Sequence, residues 1–120
     1  MSDKRRCHRL NVELPASFKI SDAQKHVSLA TILDISALGI CLTSKERLVA
    51  GQELQLQVIL PVNERIVLQA KVIWVKELIA YDVREYKVGI QIIDRVGTDE
   101  AKFIKFFADQ FLEFFKEKPS

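Results

Sequence analysis

The chain has 120 residues, 48% of them hydrophobic and 28% charged, with four Gly and three Pro. That length supports one ordinary core, and that balance excludes collagen-like, low-complexity and wholly disordered chains. Eighteen Lys and Arg against sixteen Asp and Glu give a net charge of +2, too near balance for a protein whose whole surface coats nucleic acid.

At the N-terminus, Lys4, Arg5, Arg6 and Arg9 face a single acid, Asp3, so the positive charge is local and the rest of the chain is slightly acidic. This opening lacks the apolar core of a secretory signal, and no stretch approaches about eighteen uncharged apolar residues, so a cytoplasmic protein with no membrane span is expected. Cys7 and Cys41 are too few for a disulfide framework and are read as thiols. Neighbouring cations lower a thiol's pKa in general, which makes a redox role for Cys7 a minor reading. Cys7, His8, His26 and Cys41 match no structural zinc spacing, so no metal is expected.

From Leu10 to Ile20 apolar residues occupy the even positions, a period of two that predicts a half-buried strand, with Pro15 marking an edge or bulge. Val27 to Ile35 alternates on the odd positions, Val27, Leu29, Thr31, Leu33 and Ile35, and a short strand follows from Ile40 to Thr43. Gly39 stands in the connection between them, where freedom to adopt positive φ would suit a tight hairpin. Glu53 to Leu60 and Arg65 to Lys76 alternate in turn, the latter with Ile66, Leu68, Ala70, Val72 and Trp74 on one face, which assigns Trp74 to the core. Tyr86 to Ile92 is the sixth such segment. Closure of six strands into a small antiparallel β-barrel removes the exposed edges of an open sheet.

After Gly97 the period changes. Thr98 is the expected N-cap of a helix over 98–117, with Asp99 and Glu100 at its positive end and Lys116 and Lys118 at its negative end. Phe103, Ile104, Phe107, Phe111, Phe114 and Phe115 fall in one stripe suited to capping the barrel, leaving Phe106 and Leu112 beside it as candidate oligomer or partner contacts. The expected organisation is a basic arm over 1–9, a barrel over 10–96 and a helix over 97–118, all one domain.

Two short motifs carry chemistry. Arg5-Arg6-Cys7-His8-Arg9 contains Arg-x-x-x-Arg immediately before the first strand, and Asp34-Ile35-Ser36-Ala37-Leu38-Gly39 is an Asp-x-Ser-x-x-Gly at the hairpin. Guanidinium forks bind phosphates or guanine acceptors bidentately and stack on bases. A carboxylate can accept from guanine N–H groups or orient an arginine, and a serine hydroxyl can donate and accept. In order and separation, with Ala70-Lys71-Val72-Ile73-Trp74-Val75 and Lys87-Val88-Gly89-Ile90-Gln91-Ile92 after them, these motifs resemble the PilZ family of bacterial cyclic di-GMP receptors over nearly the whole chain.

The resemblance implies a non-catalytic receptor without a cofactor, in which Arg5, Arg9, Asp34, Ser36 and Gly39 hold cyclic di-GMP. Arg6 is a further candidate contact, and Lys4 a candidate contact for a second, stacked dinucleotide. It also implies an output in motility, attachment or exopolysaccharide control through an unidentified partner protein. The basic arm, expected to be mobile without ligand, would order on binding and present a new surface to that partner. Two other readings remain at this level: a PilZ-fold adaptor that does not bind cyclic di-GMP, and a small barrel that binds nucleic acid through its basic arm.

Overall fold

Alternation of apolar and polar side chains folds here into six antiparallel strands and one helix. The computed structural model describes residues 9–20, 26–36, 39–80, 83–93 and 97–117, the side chains of Arg9, Leu10, Val62, Ala80 and residues 111–117 excepted. The strands are β1 (Arg9–Ile20), β2 (Ser28–Ser36), β3 (Gly39–Ser44), β4 (Glu53–Leu60), β5 (Glu64–Ala80) and β6 (Val83–Ile93), followed by helix α1 (Glu100–Glu117). They close into a barrel in the order β1-β2-β3-β6-β5-β4. The expected six-stranded antiparallel barrel with a C-terminal helix is the fold observed.

Inward positions alternate as a pleated strand requires. Leu14, Ala16 and Phe18 of β1, Leu54, Leu56 and Val58 of β4, Ile66, Leu68, Ala70 and Val72 of β5 and Val88 and Ile90 of β6 form one buried core. Pro15, which has no N–H to give, lies where β1 pairs with β2 but before its pairing with β4 begins at Ala16.

Three register shifts decide what the alternation alone mispredicts: in β1 between Asn11 and Leu14, in β2 between Ile32 and Asp34, and in β5 between Val72 and Trp74. An extra residue reverses the facing of everything beyond it. In β2, Ile32 and Ile35 are both fully buried while Leu29 is 80% exposed, so the expected odd-numbered face does not exist as a unit. In β5 the shift turns Trp74 out of the core to 41% exposure. The cause is local. Pairing with β4 ends at Lys71, and Val72 instead exchanges hydrogen bonds with the Gly51-Gln52 turn. Beyond it β5 has only β6 as a neighbour and is free to bulge. The β5–β6 ribbon then runs to Ala80 and Val83, past the expected ends at Lys76 and Tyr86.

Asp99, not Thr98, stands immediately before α1. Its N–H donates to the Val67 carbonyl at 2.8 Å, and its carboxylate Oδ2 accepts from the Val67 N–H at 2.8 Å. This exchange pins the start of the helix to β5. Phe103 then enters the core at 2% exposure, with Phe106 and Phe107 half-buried against it, whereas Ile104 of the expected stripe is 48% exposed. Phe106 therefore packs on the barrel. The side chains of Phe111, Leu112, Phe114 and Phe115 lie outside the described residues.

Candidate functional site

β2 ends at Ser36 and β3 begins at Gly39, and one side chain ties these two ends together. The Gly39 N–H donates to Ser36 Oγ at 3.2 Å, and that hydroxyl donates to the Gly39 carbonyl at 3.3 Å. Gly39 is not at positive φ, contrary to the expectation. It is glycine because a Cβ there would overlap the backbone carbonyl oxygen of Ile90 on β6. The turn is thus wedged against β6, and a close approach of two backbones sets the residue choice.

Residues directly opposite in antiparallel strands share a face, so the register assembles rows across the barrel wall. Ile35, Ile40, Leu42, Val72, Val88 and Ile90 are buried in the core. Their neighbours Asp34, Ser36, Cys41, Gly89, Gln91 and Lys71 therefore belong to the outer face. Cys41 is buried, at 4% exposure, though it is not part of the core cluster.

The first outer row is Asn11-Asp34-Cys41-Gly89-Trp74, and it crosses β1, β2, β3, β6 and β5. The second places Arg9 opposite Ser36, and continues from Gly39, across the turn, to Gln91 and Lys71. The last residue of the arginine motif is therefore brought against the serine of the turn. Lys4, Arg5, Arg6 and Cys7 lie outside the described residues, and Arg9 is placed by its backbone.

Trp74, which sequence reasoning assigned to the core, lies on the outer face. A Cβ on Gly89 would overlap the indole at Nε1, Cε2 and Cζ2, so the ring lies directly over that glycine on the outer face, in line with Asp34 two strands away. The signal was a glycine inside an alternating strand, Val88-Gly89-Ile90, which marks close approach of another group. Together the two rows offer a cationic end, a carboxylate, a narrow turn and a flat aromatic surface.

The PilZ domain family model matches residues 3–109. The chain belongs to the PilZ domain family. Among solved structures, the c-di-GMP-bound PilZ domain of YcgR from Escherichia coli is 15% identical with a TM-score of 0.67, covering 97% of this chain and 100% of that one. MrkH of K. pneumonia in complex with c-di-GMP is 21% identical with a TM-score of 0.75, over 98% of this chain and 56% of that one. The Bacillus subtilis inhibitor of motility, MotI/DgrA, is 18% identical with a TM-score of 0.67, over 93% and 53%. The chain thus spans about half the length of MrkH and MotI. At such identities the likeness is one of fold. A search of curated proteins finds no match. Among the described residues, no helix of this PilZ domain is long and apolar enough to cross a membrane.

Proposed function

We propose that this PilZ domain is a cyclic di-GMP receptor that binds its ligand on the outer face of the barrel, between the arginine motif and the β2–β3 turn. The observation that carries this reading is the pairing of Arg9 with Ser36, which makes two motifs separated in sequence into one place. Arg5 and Arg9 take the phosphate and guanine O6/N7 contacts suited to bidentate guanidinium groups, with Arg6 as a further cation. Asp34 accepts from the guanine N–H edge. Ser36 and Gly39 shape the turn, the hydroxyl by its bonds to Gly39 and the glycine by its approach to β6. Trp74 provides a face on which a purine stacks. Lys4 is the residue nearest the motif that could reach a second dinucleotide.

Arg9 already pairs in β1, one residue earlier than the expected arm boundary, so ligand binding orders residues 1–8 across the barrel, and the surface so formed engages a partner protein. Solved relatives include an inhibitor of motility and a c-di-GMP-dependent transcription regulatory factor, so one fold serves different outputs.

Calorimetry tests the reading. Cyclic di-GMP should bind saturably while GTP and a single-stranded oligonucleotide do not, and Arg9→Ala should cost about 1.5–3 kcal/mol, the worth of a charge-assisted hydrogen bond. Comparable affinity for all three anions would instead favour a nonspecific basic arm. Unchanged hydrogen exchange of residues 4–8 at saturating ligand would remove the ordering step.

A further inference from the structure

Arg9, the last residue of the arginine motif, stands on the β1 side of the site, because it begins that strand and pairs with Ser36. A cyclic dinucleotide carries phosphates on two opposed sides of its ring. With one phosphate at the Arg9 side of the turn, the other would face across β3 and β6 toward β5. The second outer row ends there. Gly39 is opposite Gln91, and Gln91 is opposite Lys71. Both side chains are exposed, and their neighbours Ile90, Ala70 and Val72 are buried inside the barrel.

Two strand spacings separate Gly39 from Lys71, about 10 Å at the backbone, and a lysine stem covers much of that distance. Gly39 has no side chain to stand between them. The β5 bulge bears on this as well, because it begins immediately after Val72 and leaves the Trp74 ring over Gly89 beside Gln91 and Lys71. Glu53, opposite Lys71 on the other side, accepts a hydrogen bond from Gln69 Nε2 at 3.3 Å. Among the described residues Lys71 enters no ion pair.

Resting on the receptor reading above, we infer that Lys71 on β5 binds the phosphate of cyclic di-GMP opposite the one held by the arginine motif, with Gln91 hydrogen-bonding the same ligand between Gly39 and Lys71. The site is then a clamp with cations on both sides of the ligand. Arg9 and Lys71 belong to segments far apart in sequence that only barrel closure makes into one row. Linear dinucleotides and GTP, which lack the second ring phosphate in that position, gain less from Lys71.

The test is titration of the whole chain with cyclic di-GMP at several salt concentrations, comparing the unaltered protein, Lys71→Met, Lys71→Arg, Gln91→Ala and Lys102→Ala, a control on the exposed surface of α1. Lys71→Met should weaken binding about tenfold or more and flatten the salt dependence of affinity, while Lys71→Arg restores both and Lys102→Ala changes neither. Gln91→Ala should weaken binding severalfold. On the unaltered chain, cyclic di-GMP should protect the Lys71 amine, but not that of Lys102, from acylation read by mass spectrometry, a readout that no variant's stability can disturb. Binding by the unaltered chain with Lys71→Met equal to it and Lys71 unprotected overturns this inference alone. No binding by the unaltered chain overturns the receptor reading and this one with it.

Discussion

Gly39 and Gly89 show how one missing methyl group sets the packing of the barrel wall. At Gly39 a Cβ would meet the Ile90 carbonyl, a backbone atom that cannot turn aside, so Gly39→Ala must push β3 and β6 apart. Overpacking of that kind costs about 1–3 kcal/mol, and urea denaturation should show it. At Gly89 the obstacle is the indole of Trp74, the single tryptophan of the chain. Gly89→Ala should therefore displace the ring and shift the intrinsic fluorescence, with a loss of cyclic di-GMP affinity larger than its loss of stability. Quenching of that fluorescence by ligand in the unaltered protein is the companion expectation. The motif residues were legible in the sequence because their types and spacing are local. Trp74 was not, because its facing depends on a bulge that nothing in Ile73-Trp74-Val75 announces.

Among the elements, α1 is joined to the barrel by a small number of specific interactions. Asp99 satisfies both backbone groups of Val67, and Phe103 fills the core beside it. Asp99→Ala leaves the Val67 N–H without its carboxylate acceptor and should cost about 1–3 kcal/mol. Phe103→Ala opens a cavity and should cost about 3–5 kcal/mol, so equilibrium unfolding of the two variants ranks packing above the pin. The helix is expected from its period and its acidic start, and the residue that precedes it is Asp99 rather than Thr98. The shift has a tertiary cause, since the Asp99 carboxylate is engaged by β5.

For the whole molecule, closure of the barrel is what turns separate motifs into one surface. A ligand that binds only the closed form stabilises it by mass action, about 2.7 kcal/mol at a hundredfold excess over its dissociation constant. Thermal unfolding followed by Trp74 fluorescence should move upward with cyclic di-GMP and not with GTP, and the increase should shrink in Arg9→Ala and Asp34→Ala. An upward shift of equal size in all three proteins would place the ligand elsewhere.

Six strands, one helix and both motifs follow from the sequence, because period, turn chemistry and residue type act over a few neighbouring positions. Facing and juxtaposition do not. The outward turn of Trp74, the inward turn of Ile32, the pairing of Arg9 with Ser36 and the row from Gly39 to Lys71 were decided by register and closure. The β5 bulge falls where that strand loses β4 as a partner, and such pairing joins residues that are not neighbours along the chain.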